Sequence, residues 1–337
     1  MSATVATARI SPAEGVRLLR EAPLLDLGER AQAARFARLP ERRVTFVIDA
    51  NPNYTNVCTT DCVFCAFYRK PGDADAYTLT IDQVMAKVDR AVQRGATTIL
   101  LQGGHNPAIP FDYYLTLIRE TRRRFPSVTP HFFTASEVRQ MASVSGLDVR
   151  GVLQALKEAG QYTLPGGGAD SWLDVHREAH RLGFRSTATM MYGHIEEDED
   201  IVAHLEAIRR LQDETGGFTA FVPWSFKPGN TPLQRRIRYH IGPSRYLRII
   251  ALSRLYLDNF EHIQASWFSE GKKAGQVALH FGADDYGGTL FEENVHKAAD
   301  HINETTVDEV ALMISEAGFQ PAQRTTLYDV LKTLEPA

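Results

Sequence analysis

The sequence predicts a parallel (β/α)8 barrel of the TIM type, preceded by a helical lead-in. Short apolar segments rich in β-branched residues alternate with helical patterns, eight times and about thirty residues apart, as in repeated strand–helix units. Glycine-rich, polar and cysteine-bearing segments directly follow the apolar ones, where such barrels carry their chemistry. A doubly wound open sheet is the alternative, but no Gly-x-Gly-x-x-Gly follows the first strand. We expect residues 1–42 to form an N-terminal helical extension and residues 43–337 to form the barrel with C-terminal helices.

The elements can be placed in chain order. Ser11-Pro12-Ala13-Glu14 is typical of a capping box with proline in the first helical turn, and it predicts a helix to about Glu21. A second helix is expected from Asp26 to Arg38, and the first strand from Arg43 to Asp49. The later strands are expected at residues 97–102, 130–133, 162–164, 186–191, 218–223, 261–266 and 278–281, with helices between them.

Composition and charge narrow the classes of protein that fit. The 337 residues include 37 Lys and Arg and 41 Asp and Glu, which gives a formal net charge of −4 with both signs interspersed. This balance argues against a nucleic-acid partner. No apolar run approaches the length of a membrane span, and the first residues lack the apolar centre of a signal peptide. We therefore expect a cytoplasmic protein with no membrane partner.

Three cysteines, Cys58, Cys62 and Cys65, lie within one short segment in a Cys-x3-Cys-x2-Cys spacing. Thiolates hold iron–sulfur clusters, and three of them leave one iron of a [4Fe-4S] cluster open to a small molecule. A structural zinc site needs a fourth ligand, and the nearest histidine, His105, lies far outside the usual spacing. Unligated core cysteines would be scattered along the chain, and a disulfide framework conflicts with the odd count.

The cysteine spacing, with the aromatic Phe64 directly before the third cysteine, resembles the signature of the radical S-adenosylmethionine (radical SAM) enzymes. In that family the open iron binds the amino and carboxylate groups of the methionine moiety, and an electron cleaves the sulfonium to give a 5'-deoxyadenosyl radical. The resemblance therefore implies a [4Fe-4S] cluster, S-adenosyl-L-methionine, a low-potential electron donor and a radical SAM barrel.

Longer segments resemble enzymes of the futalosine route to menaquinone. They are Asn53 to Cys58, Leu101 to Gly104, Leu164 to Ala169, Thr187 to His194 and Gly282 to Thr289. The resemblance implies cyclisation of dehypoxanthine futalosine, in which the radical removes the hydrogen at the sugar C4' and this carbon forms a bond to the benzoate ring. Family branches that add the adenosyl radical to an enolpyruvyl benzoate, or that form a deazaflavin, are alternatives. A non-catalytic iron–sulfur electron carrier or sensor is the alternative of another class, and three cysteines instead of four argue against it.

The same resemblance implies a set of site residues. Contacts to S-adenosylmethionine are expected from Phe64, Tyr68, Gly103, Gly104, Ser136, Glu137, Met190 and Gly193. Substrate contacts are expected from His105, Asn230, Thr231, Asp284, Gly287, Gly288 and Thr289, and Asp285 is the candidate proton acceptor.

Several of these residues also have a structural interpretation. Gly103-Gly104 is typical of a tight turn, and Ser136-Glu137 of the capped first turn of a helix. Gly287-Gly288-Thr289 is predicted to precede a helix running toward Ala299, whose first N–H groups would suit the benzoate carboxylate. After Gly166-Gly167-Gly168 the enzymes that the chain resembles carry a longer insert with basic residues, whereas this sequence continues directly with Ala169-Asp170-Ser171-Trp172.

Overall fold

A parallel β-barrel surrounded by helices forms the centre of the computed structural model, which describes residues 9–166, 172–237 and 241–335. The strands in these ranges are β1 (Arg43–Val47), β2 (Asp49–Ala50), β3 (Thr98–Leu101), β4 (Thr129–Phe132), β5 (Thr163–Leu164), β6 (Arg185–Tyr192), β7 (Phe218–Ser225), β8 (His262–Ile263), β9 (Asp285–Gly288), β10 (Gln320–Arg324) and β11 (Val330–Thr333). The helices are α1 (Pro12–Glu21), α2 (Leu24–Arg38), α3 (Ile81–Gln93), α4 (Phe111–Arg124), α5 (Ala135–Ser145), α6 (Val149–Ala159), α7 (Trp172–Arg181), α8 (Asp198–Thr215), α9 (Pro243–Tyr256), α10 (Trp267–Glu270), α11 (Lys272–Ala278), α12 (Val295–Ala298) and α13 (Val307–Glu316), with a 3-10 helix at Pro232–Arg236.

Parallel pairing closes the barrel. β1 and β2 form one interrupted strand, in which β1 pairs with β9 and β2 pairs with β3. The pairs β3–β4, β5–β6, β6–β7 and β7–β8 are parallel as well, and a bridge joins Gln264 to Asp285 between β8 and β9. Between β4 and β5 the Gln161 side-chain amide donates to the Phe132 carbonyl at 2.7 Å. The predicted fold class is confirmed.

The N-terminal helices pack on the outside of the barrel. The Ser11 hydroxyl accepts from the Glu14 N–H at 3.2 Å and caps α1, as the sequence predicts. α1 packs against α8 and α9, and α2 packs against α9. The buried Arg35 of α2 donates to the Arg43 carbonyl at 2.7 Å, which fixes this helix to the start of β1. The division at residues 42 and 43 stays a prediction.

The C-terminal region differs from the expectation of helices alone. α13 is followed by β10, which pairs in parallel with β1, and by β11, which pairs antiparallel with β10. The loop after β10 crosses the amino-terminal end of the barrel, where the Thr326 hydroxyl lies 2.7 Å from that of Thr98 at the start of β3. At the other side Tyr328 stacks on His262, at the start of β8, with ring centroids 3.8 Å apart. This loop therefore forms the floor of the barrel interior.

The strand expected at residues 278–281 is wrong. That apolar run lies at the end of α11, and the eighth barrel strand is Asp285–Gly288. The sequence of this strand, Asp-Tyr-Gly-Gly, is not an apolar run. At its glycines, neighbouring residues occupy the space that a side chain would need. A Cβ on Gly288 would lie 2.2 Å from an oxygen of Asp49. Among the described helices none is long and apolar enough to cross a membrane.

Candidate functional site

A cavity of about 740 Å³ extends from the cysteine loop into the barrel interior. Its volume lies in the range of ordinary ligand sites, and its mouth is at the carboxyl ends of the strands. Cys58, Cys62 and Cys65 all line it, together with residues of successive strands and of the barrel floor. The cavity therefore joins the three thiols and the barrel interior in one space.

Hydrogen bonds within the chain hold the cysteine loop. Cys58 is only 9% exposed, and its N–H donates to the Arg69 carbonyl at 2.9 Å. The Cys65 N–H donates to the Cys62 carbonyl at 3.0 Å, and the Thr59 N–H donates to the His105 carbonyl at 3.1 Å. Burial raises the pKa of Cys62 and of Cys65, so binding of a metal centre by the thiolates must release protons.

His105 ties the loop after β3 to the cysteine loop. Its ring Nδ1 lies 2.6 Å from the Thr60 hydroxyl, and the side chain lines the cavity. Burial lowers the pKa of His105, which favours the neutral ring. The structure thus places this expected substrate contact at the cavity, beside the thiols.

At Gly103 and Gly104, directly after β3, neighbouring parts of the chain leave no room for a side chain. A Cβ on Gly104 would lie 2.1 Å from the Val57 carbonyl oxygen, and one on Gly103 would lie 2.6 Å from the Tyr54 ring. The Gly104 N–H donates to the Thr55 carbonyl at 3.0 Å. Both glycines line the cavity, as expected for a cofactor contact, but the space that they leave open holds the cysteine loop.

Glu137 connects the ends of two strands with the cysteine loop. Its carboxylate accepts from the Gly103 N–H at 3.0 Å, the Tyr54 hydroxyl at 2.8 Å and the Thr134 N–H at 2.7 Å. Burial raises the pKa of Glu137 to about 7. The residue that caps α5 is Thr134, which forms a capping box with Glu137, and the Ser136 hydroxyl lies 2.9 Å from that of Thr134. Ser136 and Glu137 both line the cavity.

Of the remaining residues expected to contact the cofactor, Phe64 and Tyr68 line the cavity and Met190 does not. Phe64, 38% exposed, and Tyr68 line the cavity mouth. On β6 burial alternates, and the residues that line the cavity are Thr187, Thr189 and Met191. Met190 points to the opposite face, where the helices pack. The next residue, Met191, is the one that lines the cavity, so the structure does not support Met190 as a cofactor contact.

Like Met190, Gly193 is not among the residues that line the cavity. Its φ of 90° is in the left-handed region, and a Cβ there would lie 2.9 Å from Ile241. The glycine therefore serves the turn after β6. Gly166 lines the cavity, whereas Gly167, Gly168 and the expected insert point after them lie outside the described residues.

Asn230 and Thr231 are not among the residues that line the cavity, so the structure does not support them as substrate contacts. The exposed Asn230 has a φ of 57° and donates to the Ala298 carbonyl at 3.1 Å. The Thr231 hydroxyl donates to the Pro228 carbonyl at 2.8 Å and accepts from the Gln234 N–H. These contacts shape the loop after β7 and cap the 3-10 helix.

Asp284 and Asp285 are held in ion pairs below the cavity. Asp284 pairs with Arg254 and lies 2.6 Å from the His262 ring. Asp285 accepts two hydrogen bonds from Arg324, at 2.5 and 3.0 Å, and is completely buried. Since Asp285 starts β9 instead of following a strand, neither aspartate stands at the carboxyl end of the barrel, and this geometry does not support the substrate and proton-acceptor assignments.

The expected carboxylate site at a helix N-terminus is also wrong. Gly287 and Gly288 belong to β9, and α12 begins only at Val295. The Thr289 hydroxyl donates to the Asp49 carbonyl at 2.9 Å and accepts from the Asp49 N–H at 3.0 Å. Gly288 lines the cavity, but its carbonyl accepts from the Trp267 indole at 2.9 Å. These residues close the barrel against β2.

Several cavity residues were not found from the sequence. Asp49 and His131 face the cavity from β2 and β4, Trp224 lines it near the end of β7, and Phe268 and His296 line it after β8 and β9. His296 packs against both of the other aromatic side chains, with its centroid 5.4 Å from Phe268 and 5.6 Å from Trp224. Only their position after strands could have indicated them, because none belongs to a recognisable motif.

Comparisons with known proteins agree with this geometry. A model of the radical SAM superfamily matches residues 52–208, and a model of the CofH/MqnC C-terminal region matches residues 215–337. The chain is 38% identical to a cyclic dehypoxanthine futalosine synthase of Halalkalibacterium halodurans, over 97% of this chain and 93% of that protein. It is 38% identical to an aminodeoxyfutalosine synthase of Thermus thermophilus, over 95% of this chain and 92% of that protein.

Two further likenesses extend the comparison. The chain is 40% identical to a 5-amino-6-(D-ribitylamino)uracil–L-tyrosine 4-hydroxyphenyl transferase of Methanopyrus kandleri, over 91% of this chain and 90% of that protein. Among solved structures, methylornithine synthase has a TM-score of 0.73 at 16% identity and covers 94% of this chain and 95% of its own, a likeness in fold.

Fold and site together define a TIM-type enzyme barrel with three thiols at the mouth of its cavity. More particularly, the chain belongs to the radical SAM superfamily, with a C-terminal region of the CofH/MqnC type.

The family implies a [4Fe-4S] cluster and S-adenosylmethionine, and the residues present fit the cluster. The three thiols come from one loop and face one cavity. Within the described ranges no three His, Cys, Asp or Glu side chains converge on a position for one metal ion. A cluster binds each thiolate through a different iron, so its ligands need not converge in that way. The arrangement therefore suits a cluster better than a zinc ion.

Proposed function

We propose that this enzyme cyclises dehypoxanthine futalosine in the futalosine route to menaquinone. The observation that carries the proposal is the 38% identity to a cyclic dehypoxanthine futalosine synthase over nearly the whole length of both chains. The radical SAM barrel and the cavity that continues from the thiols into the interior support it, because a radical formed at the cysteines can reach a substrate in the interior without passing through solvent.

In this proposal the cofactor lies at the mouth of the cavity. The cluster held by Cys58, Cys62 and Cys65 supplies the electron that cleaves S-adenosylmethionine. The Gly103 carbonyl accepts no hydrogen bond within the described residues, and it faces the same cavity as the thiols, so it offers an acceptor for the methionine ammonium group. Phe64 and Met191 supply apolar contacts from the loop and from β6.

The substrate lies deeper in the barrel in this proposal. Trp224, Phe268 and His296 form an aromatic wall, which suits the aryl ring of the substrate. Burial lowers the pKa of His296 to about 3, so the wall is uncharged at neutral pH. The polar side chain of His131 on β4 suits a sugar hydroxyl. The walls hold the reacting atoms near each other and exclude water.

The transferase activity of the Methanopyrus relative is the second candidate, favoured by 40% identity over 91% of this chain. That relative's name specifies 5-amino-6-(D-ribitylamino)uracil and L-tyrosine, which are also an aryl group and a polyhydroxylated chain. The aminodeoxyfutalosine synthase of Thermus gives a third reaction to test, with an enolpyruvyl benzoate as substrate.

One experiment separates the three reactions. The anaerobically reconstituted and reduced enzyme is incubated with S-adenosylmethionine and each substrate set in turn, and the products are identified by mass spectrometry. Cyclisation gives a product two hydrogen atoms lighter than dehypoxanthine futalosine together with 5'-deoxyadenosine. Addition to the enolpyruvyl benzoate incorporates the adenosyl group and releases no 5'-deoxyadenosine, and aryl transfer consumes tyrosine. The proposal is wrong if dehypoxanthine futalosine is recovered unchanged while another set is converted.

A further inference from the structure

Asp49 is a buried carboxylate at the cavity that makes no direct ion pair among the described residues. The charged groups that face it are Arg324, which lowers its pKa, and Asp285, which raises it. Asp49 is 5% exposed and lines the cavity from β2. Its Oδ1 accepts from the Leu290 N–H at 2.7 Å. In the described part of the chain Oδ2 accepts no comparable hydrogen bond, and no lysine, arginine or histidine forms an ion pair with the carboxylate. Such a group retains the capacity to accept a proton from a ligand.

Two other buried acidic groups near the barrel interior, Asp285 and Glu137, are already satisfied. Glu293 at the cavity accepts from the Val295 and His296 N–H groups, one on each oxygen. Asp285 is paired with Arg324 and also accepts from the Thr45 hydroxyl at 2.6 Å and the Gln264 amide at 3.0 Å. Glu137 accepts several hydrogen bonds from the chain around it, as described above. Their lone pairs are occupied, whereas one oxygen of Asp49 is left for a ligand.

The local backbone is built around this carboxylate. Gly288 lies against it, and a Cβ at that position would lie 2.2 Å from Oδ2. Leu290, which donates to Oδ1, has a φ of 46°, in the left-handed region that a leucine rarely adopts. Strained residues of this kind cluster at functional sites. Both features keep Asp49 in one orientation.

The height of Asp49 in the barrel also suits a reacting group. Thr45, Val47, Asp49 and Asn51 are successive alternate positions of the first strand, and alternate residues face the same side. Thr45 contacts Asp285 below the cavity, and Asp49, four residues farther along the strand, stands above that ion pair but near enough for Arg324 to lower its pKa and for Asp285 to raise it. Asp49 therefore lies between the floor and the cysteines.

We propose that Asp49 is the proton acceptor of the ring-closing reaction, an assignment that rests on the proposed function. Once the sugar C4' has bonded to the aryl ring, the attacked ring carbon still carries its hydrogen and the ring holds an unpaired electron. The C–H bond breaks, and the proton passes to Asp49 Oδ2. One electron would pass to an oxidised iron–sulfur centre held by Cys58, Cys62 and Cys65, and the electrons that remain would restore the aromatic ring.

Burial supports this role, because it raises the pKa of Asp49 to about 7. A general base is most effective when its pKa lies near the working pH, and general acid–base catalysis contributes about 10²- to 10⁴-fold to a rate. Loss of the carboxylate should therefore slow the final step and leave hydrogen abstraction in place.

The test uses Asp49→Asn in the reconstituted enzyme, with substrate deuterated at C4'. Asparagine keeps an acceptor for the Leu290 N–H but cannot take the proton. We expect deuterium to reach 5'-deoxyadenosine, substrate affinity to stay within about threefold, and cyclised product to fall at least about a hundredfold. The matched control is Asp89→Asn on the exposed face of α3, which should behave as the parent.

A second measurement does not depend on turnover. Infrared titration of the substrate-free enzyme should show protonated carboxyl bands that disappear near pH 7 in the parent and in Asp89→Asn. In Asp49→Asn the contribution of Asp49 should be missing, while that of Glu137, whose pKa burial also raises to about 7, remains. The proposal is overturned if the carboxyl band of Asp49→Asn is as intense as that of the parent, if Asp49→Asn cyclises at the parental rate, or if it only weakens binding tenfold while product per 5'-deoxyadenosine is unchanged. Failure of the parent enzyme to convert the substrate would instead refute the proposed function.

Discussion

Replacement of Gly104 by alanine should release the iron–sulfur cluster although it changes no ligand. The added Cβ would lie 2.1 Å from the Val57 carbonyl oxygen, 2.7 Å from its carbon and 2.9 Å from the Cys58 Cβ. Ordinary contact begins near 3.4 Å, so the backbone that carries Cys58 must move by more than about 1 Å. Overpacking of this kind costs about 1–3 kcal/mol of stability, less than the whole free energy of unfolding of an ordinary domain. The barrel should therefore stay folded while the first cysteine is displaced.

The assay is iron and sulfide per chain after anaerobic reconstitution, with far-UV circular dichroism to confirm the fold. Gly242→Ala is the matched control, since nothing lies within 4 Å of a Cβ at Gly242 and its φ is −93°. We expect Gly104→Ala to bind less than half the parental iron and Gly242→Ala to bind as the parent does. If Gly104→Ala retains parental iron and loses only affinity for S-adenosylmethionine, the glycine serves the cofactor directly and the packing argument is refuted.

Other predictions test the ligands, the phase of β6, the floor and the buried histidines. Cys62→Ala should lose the four-iron absorbance and all turnover; retention of both would remove this cysteine from the ligand set. Met190→Ala should cost about 2–5 kcal/mol of unfolding free energy with parental affinity for S-adenosylmethionine, and Met191→Ala the reverse, which denaturation and binding titrations can separate. Asp285→Asn breaks a buried ion pair and should lower the unfolding free energy by about 3–5 kcal/mol, and an unchanged denaturation midpoint would contradict the pairing. Burial lowers the pKa of His176 to about 3, so the unfolded chain takes up a proton that the folded chain refuses as pH falls below about 6.5, and stability is lost down to about pH 3. In His176→Gln the fall in unfolding free energy between pH 6.5 and 4.5 should be shallower than in the parent.

The strands could be predicted wherever burial on both faces produces an apolar, β-branched run. β6 and β7 fall within two residues of the predicted bounds for this reason. β9 could not be predicted, because its two glycines and its aspartate are required by contacts with residues that are distant in sequence. Asp285 meets Arg324 and Thr45, and Gly288 makes room for Asp49. No local pattern contains these partners.

The site shows the same division between local and distant causes. The three cysteines are close in sequence and could be found by spacing alone. Asp49 had no such signal, since it is one aspartate at the end of an apolar strand, and its donor, Leu290, follows the neighbouring strand β9, which is distant in sequence. The choice between Met190 and Met191 required the orientation of β6, which two adjacent methionines leave open.

The residues before the first cysteine explain why the resemblance to the family extends beyond the cysteines themselves. Asn53 donates to the Gln102 carbonyl at 2.8 Å, which ties the loop to the end of β3. Asn56 accepts from the Tyr77 N–H at 2.7 Å and donates to the Asp75 carbonyl at 2.9 Å, which closes the loop on itself. Cys58 follows directly and is buried, whereas Cys62 lies farther out on the loop and is half-buried. The polar network therefore positions the first thiol before any metal binds, and binding of the cluster needs to order only the outer part of the loop. The same cysteine spacing on a loop without this network would have to be ordered by metal binding alone.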